Sequence, residues 1–339
     1  MSVSSARAAA RSAVGAAYRR LADAGDDDAL AAACADIAPV IVGLQDVRTS
    51  PIDVAAAHAD LVRAATARAV ALRPEPGVEW FVLGSVGRRE SLPSSDVETA
   101  AVVADGVEVG RATAHGAAVH RLLDRCGLRP DPNHALVSRR RFVRTAADWS
   151  AAVERWVSDP FDDRAVIMLS LLADSTAVGT SAAPFPVDVR AALSDDDRAR
   201  RLMGREATRE YPRLRLRDSL FRRVTTVDPK VTVISAIVSI ARWVDLESAD
   251  VPSDARRSTP ERLSRAAASG ALADDDARTL AHAFEQVQRI RLSYQVDRLR
   301  ASRPADDLLP VAGTTPVTRS VLASAAREVT AVRRGLAMT

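Results

Sequence analysis

Trp80-Phe81-Val82-Leu83-Gly84-Ser85-Val86-Gly87-Arg88-Arg89-Glu90-Ser91-Leu92-Pro93-Ser94-Ser95-Asp96-Val97-Glu98-Thr99 reads as strand, turn, helix start, loop and second strand. Residues 80–83 form a short apolar run bounded by Gly77 and Gly84, the pattern of a buried strand. Gly84-Ser85 comes directly after it. Glycine lets the backbone approach a phosphate closely, and amides at a helix start point outward with no acceptor one turn back. Gly87 offers a second close approach, and Arg88 and Arg89 add guanidinium forks that match phosphate geometry. Asp96 and Glu98 stand two apart beside a strand, so period-two alternation puts both carboxylates on one face. Two adjacent carboxylates repel unless a cation lies between them, and magnesium prefers oxygen ligands and bridges to phosphates.

The segment sits in a chain with helix on both sides. Residues 5–74 are alanine-rich, with turn signals at Ala24-Gly25-Asp26 and Ser50-Pro51, and 53–72 carry Val54, Ala57, Leu61, Ala65 and Val70 at helical spacing. Arg73-Pro74-Glu75-Pro76-Gly77 ends that run. Thr99–Val103 is a second strand and 107–126 a helix, and 128–137, with Pro130 and Pro132, form an irregular crossing or short strand. Trp149, Val153 and Trp156 share a helical face, and Ala165–Ala173 is an apolar helix. A break falls at 178–190, with Gly179, Pro184 and Pro186. Helices are expected beyond it at 195–210, 213–224, 231–247, 258–269, 275–300 and 315–336. The pattern is that of an α+β chain in three parts: an N-terminal helical segment over 1–74, a small mixed-sheet domain over 75–182 and a helical bundle over 183–339.

Composition narrows the classes. The chain has 339 residues, 47% of them hydrophobic and only 4% aromatic, so it can bury aliphatic cores. A net charge of +3 without a basic patch interleaved with aromatics disfavours a nucleic-acid polymer as partner and leaves room for a nucleotide. The longest apolar stretch, Val231–Ala241, is too short to cross a bilayer. The two cysteines, Cys34 and Cys126, form no disulfide framework, and a reducing cytoplasmic setting is expected. Aspartate runs at 26–28, 195–197 and 274–276 each precede an apolar-periodic segment, which points to helix capping rather than metal binding. Lys230 is the sole lysine in a chain that otherwise uses arginine, which suggests a position where an ammonium is required.

In order and spacing, Gly84-Ser85-x-Gly87-Arg88-x-Glu90 and then Ser95-Asp96-x-Glu98 resemble the DNA polymerase beta superfamily of nucleotidyltransferases. Within it the chain is most similar to the branch containing the protein-PII uridylyltransferase, and to a nucleotidyltransferase family often fused to cyclic-nucleotide-binding and CBS domains. Further echoes cover roughly 65–335: Cys126-Gly127-Leu128-Arg129-Pro130-Asp131-Pro132-Asn133, the tryptophan helix, Leu172–Gly179, Val227-Asp228-Pro229-Lys230, Ala241-Arg242, Thr259-Pro260-Glu261-Arg262-Leu263 and Arg289–Gln295.

The resemblance implies a metal-dependent transfer of a nucleoside monophosphate from a nucleoside triphosphate to an acceptor hydroxyl, on a protein in signal transduction or on a small molecule. It implies magnesium on Asp96 and Glu98, triphosphate contacts from Gly84, Ser85, Gly87 and Arg88, and a triphosphate or substrate contact from Lys230. It also implies a third carboxylate that deprotonates the acceptor, for which Asp174 and Asp131 are candidates; His134 is a further candidate base. The chain departs from the family at Glu98, where aspartate is usual, and at Thr176, where the family has arginine. Uridylyl removal and glutamine sensing are not expected of it. A nucleotide-binding regulatory module without turnover is the alternative from another class, and a nucleic-acid end-adding enzyme a third.

Overall fold

The computed structural model describes residues 3–179, 184–194, 196–211, 225–248 and 258–338, in two compact units. The first holds residues up to 155 together with 168–189, and the second holds 156–167 and the residues from 190 onward. The helix expected at 213–224 lies outside the described residues.

The first unit begins with helices α1 (Val3–Asp23), α2 (Asp27–Ala35), α3 (Ile37–Asp46) and α4 (Pro51–Ala71). Local chemistry sets their limits. Asp26 accepts the Ala29 amide at 2.8 Å and starts α2, and Ser50 accepts the Ile52 amide with Pro51 in the first turn of α4. The expected stripe on α4 is buried at Val54, Leu61 and Ala65, with His58 inside it. The break between α2 and α3 falls at Asp36, and Pro39 stands in the first turn of α3, where its missing N–H has no partner to lose.

Strand β1 (Val78–Val82) leads through a single helical turn, α5 (Gly84–Gly87), to β2 (Thr99–Val103). Then come α6 (Val109–Arg125), β3 (Val143–Thr145), α7 (Ala146–Ser158), α8 (Ala165–Ala173) and β4 (Thr176–Ala177). The sheet order is β3-β2-β1-β4. β1 pairs antiparallel with β2, Phe81 opposite Ala100, and with β4, Phe81 opposite Ala177. β2 pairs parallel with β3, Ala101 opposite Val143. The sheet is therefore mixed and the chain α+β. Residues 128–137 form the irregular crossing: one bridge joins Val97 to Pro130, and no longer strand forms there. The Trp149 indole donates to the Ala101 carbonyl at 3.0 Å and pins α7 to β2.

The second unit contains α9 (Val189–Ser194, which starts one residue before the boundary), α10 (Asp197–Thr208), β5 (Thr226–Val227), α11 (Ser235–Leu246), α12 (Thr259–Ala268), α13 (Asp274–Arg300), β6 (Leu309–Pro310) and α14 (Pro316–Leu336). A π-helical turn, Lys230–Ile234, opens α11. Asp196 accepts the Ala199 amide to start α10, and Asp274, Asp275 and Asp276 occupy the first turn of α13. Among the described residues the aspartates of the three runs stand at helix starts. Among them too, no helix is long and apolar enough to cross a membrane.

Two buried histidines sit beneath the sheet's connections. His58 Nδ1 lies 2.8 Å from the Ser91 hydroxyl, and His120 Nε2 lies 2.8 Å from the Thr99 hydroxyl. Burial lowers the pKa of each to about 4. The unfolded chain binds these protons below about pH 6.5, and the folded chain does not until about pH 4. Stability is thus complete above the unfolded value and falls as pH drops. We expect a loss of about 1–2 kcal/mol per histidine between pH 7 and pH 5. Urea unfolding at the two pH values measures it, and His58→Asn should flatten the dependence.

Candidate functional site

Gly84 follows β1 after one residue, Leu83, and has φ +53, a region glycine adopts without cost. A second constraint acts there: a Cβ at Gly84 would overlap the Glu98 carboxylate. Glu98 is the residue before β2, and its carbonyl accepts the Leu83 amide at 2.9 Å. The start of α5 and the second candidate carboxylate are therefore held against each other. Ser85, in the same turn, is half-buried. Gly87 answers a different need, because a Cβ there would overlap the Asp174 carbonyl oxygen.

Arg88 turns inward. Its Nε donates to Glu90 at 2.8 Å and its Nη1 to Asp174 at 2.5 Å. The three side chains are only 10%, 4% and 1% exposed. Burial alone would lower the Arg88 pKa, but the charges of Asp174 and Glu90 outweigh it and hold the guanidinium above its ordinary value. Arg88 and Asp174 thus neutralise each other inside the fold. The structure brings Arg88 and Asp174, two of the residues expected at the site, together as a buried ion pair. Thr176 donates its hydroxyl to the Gly87 carbonyl at 3.0 Å. Arg89, exposed with φ +60, pairs with Asp60 of α4.

Asp96 and Glu98 are both half-buried and flank Val97, which is 1% exposed and bridges to Pro130. The alternation expected from sequence holds: Val97 points into the core and the two carboxylates lie on the other side. Arg129 Nε lies 3.5 Å from Asp96, and its Nη2 donates to the Ser94 carbonyl at 2.5 Å. Two oxygen donors that reach the surface on one face suit a hard cation whose remaining ligands come from phosphates and water.

Asp131 accepts the Ala135 amide at 2.9 Å and is 6% exposed, so it closes the loop after Pro130. His134, exposed with φ +63, belongs to the same loop. Lys230 is half-buried at the start of the π turn in the second unit. Asp228, two residues before it in the chain, accepts the Val231 amide at 3.1 Å. Sequence reasoning names Glu90 and Arg129 only as members of the motif and of the crossing and gives neither a role. The first could be found from its place two residues after Arg88 inside the motif. The second carries no local signal, because its partner Asp96 is met only through the bridge at Pro130.

Residues 35–163 match the family described as "Putative nucleotidyltransferase DUF294", and residues 197–339 match the "Putative nucleotidyltransferase substrate binding domain". A comparison with curated proteins returns no match.

Two substitutions check this geometry. Asp174→Ala leaves the buried Arg88 guanidinium short of a partner and should cost about 3–5 kcal/mol in urea unfolding. Gly84→Ala should cost about 1–3 kcal/mol, from the positive φ and the collision with Glu98.

Proposed function

Because the chain belongs to this nucleotidyltransferase family, we propose that it moves a nucleoside monophosphate from a nucleoside triphosphate to an acceptor hydroxyl. Asp96 and Glu98 would hold magnesium, which supplies positive charge to neutralise the triphosphate as its bond breaks. Gly84 and Ser85 would receive the phosphates through the backbone of the α5 turn and the Ser85 hydroxyl. Arg88 holds that turn in place from beneath, through Glu90 and Asp174, and Gly87 lets it pack closely. Catalysis on such a frame is mainly positioning and charge neutralisation. The matched substrate-binding domain, with Lys230, would contact the triphosphate or the acceptor. The acceptor is a protein side chain, as for the protein-PII uridylyltransferase, or a small molecule.

The observation that supports this reading best is the meeting of Gly84 with Glu98, two residues from Asp96. One observation favours a second reading, a regulatory module that binds nucleotide without turnover. Asp174 is ion-paired with Arg88, and Asp131 accepts the Ala135 amide in its own loop; third carboxylates engaged in this way would favour binding over turnover.

Labelled nucleoside triphosphates, magnesium and a cell extract as acceptor source separate the two. Transfer of label with pyrophosphate release, reduced about 100-fold or more in Asp96→Asn, is the expected result. Tight nucleotide binding with no pyrophosphate release at any protein concentration would establish the module instead.

A further inference from the structure

Helix α14 carries Ala323, Ala326, Arg327, Thr330 and Arg334 at helical spacing, so their side chains share one face. α14 packs against α10, α11 and the π turn. The packing leaves a cavity of about 480 Å³, lined by that face, by Thr232 of the π turn, by Ala236 of α11 and by Tyr211 just after α10. Small-molecule sites usually span roughly 300–1,000 Å³. Alanine at 236, 323 and 326 leaves room that longer aliphatic side chains would fill. Tyr211 is held at the wall: its hydroxyl donates to Ser239 at 2.9 Å, and the Arg209 guanidinium lies over its ring, 4.6 Å from the centroid.

The charge around this cavity is mostly of one sign. Arg327, Arg333 and Arg334 line it, against one carboxylate, Glu210. Arg333 is only 9% exposed, and its Nη1 donates to the Arg209 carbonyl at 2.7 Å and the Thr208 carbonyl at 3.4 Å. These neutral acceptors at the end of α10 orient the guanidinium but do not neutralise it. Among the described residues no carboxylate pairs with Arg333, Arg327 or Arg334. Other buried arginines of the second unit differ: Arg262 and Arg291 each meet an aspartate. Arg333 and Arg334 stand in the last turn of α14, where a cation suits the helix dipole, but Arg327 lies well before it. A buried cation is stable only with a partner, and an anionic ligand is such a partner.

We propose that this cavity binds a small organic oxyanion, a phosphate monoester or a carboxylate carried on an apolar body. The oxyanion is met by the arginines that line the cavity, whose guanidinium forks fit either group. The apolar body lies against Ala236, Ala323, Ala326 and Val329. Glu210 turns away a second negative group, so a ligand with one anionic end is preferred. The site belongs wholly to the second unit, and binding there does not rest on the transfer reaction proposed above.

Calorimetric titration of the full chain with phenyl phosphate, benzoate, inorganic phosphate and neutral benzyl alcohol tests this. One or both organic anions should bind saturably, with a Kd on the order of 0.1–1 mM and about 10-fold tighter than benzyl alcohol. Comparing phenyl phosphate with benzoate tells which anionic group the site takes. Arg327 and Arg334 are exposed, so replacing both with alanine spares the fold and should weaken binding about 10-fold or more. Ala326→Leu, which fills the cavity, should abolish binding. Failure of both organic anions to bind, equal binding of benzyl alcohol, or unchanged affinity in the double arginine variant overturns the proposal. Inorganic phosphate binding as tightly as phenyl phosphate overturns the role given to the apolar wall. Asp96→Asn should leave the affinity unchanged, and its loss there would place the anions in the first unit and overturn the proposal. Binding by a chain that transfers no nucleotide supports the cavity and counts against the function proposed above.

Discussion

The guanidinium of Arg88, buried between Glu90 and Asp174, ties together segments that the chain presents far apart. Arg88 caps the turn after β1, Glu90 opens the loop toward β2, and Asp174 lies between α8 and the entrance to β4. A charge taken out of water at this depth is tolerated only with close, hydrogen-bonded partners. Two carboxylates answer one guanidinium, and the packing around them is tight enough that Gly87 has no room for a side chain beside the Asp174 carbonyl. The α5 turn is therefore set on a charged, well-packed base, and the surface above it inherits that rigidity.

That surface has the opposite electrostatic character. Asp96 and Glu98 lie half-buried on one side of Val97, and the Glu98 carboxylate presses against Gly84. Negative charge beside a turn whose amides face outward favours a cation that can be shared with phosphate. Arg129 meets part of this charge at Asp96. Its 3.5 Å separation and its exposure make it a weak pair by the standards of Arg88, and one that solvent screens. The strong ion pairs of the site thus hold its frame.

The second unit uses the same device for a different purpose. Asp245, 4% exposed, gathers Arg190, Arg262 and Arg265 where α11 meets α12. Arg291 and Gln295 of α13 hold Asp307, which anchors the chain on its way to β6. The Arg289–Gln295 and Thr259–Leu263 elements, recognisable in sequence, include Arg291 and Arg262. Their legibility there comes from packing needs as much as from any contact with substrate.

Much of the fold can be read from the sequence because its signals are local. Proline and aspartate at helix starts, apolar spacing on α4, α11 and α13, and the apolar run before Gly84 each act over a few residues, so the helices expected at 231–247, 258–269, 275–300 and 315–336 are found within a few residues of those limits. The alternation of Asp96, Val97 and Glu98 is legible for the same reason. The short strands β3 and β4 are not, since two or three residues carry no period and form only because β2 and β1 offer free edges. The pairing of Arg88 with Asp174 is not legible, because sequence shows which groups are charged but not which charge lies next to which. That pairing, the closeness of Gly84 to the Glu98 carboxylate and the packing of Gly87 on the Asp174 carbonyl all depend on distances between segments apart in the chain, and only tertiary packing sets them.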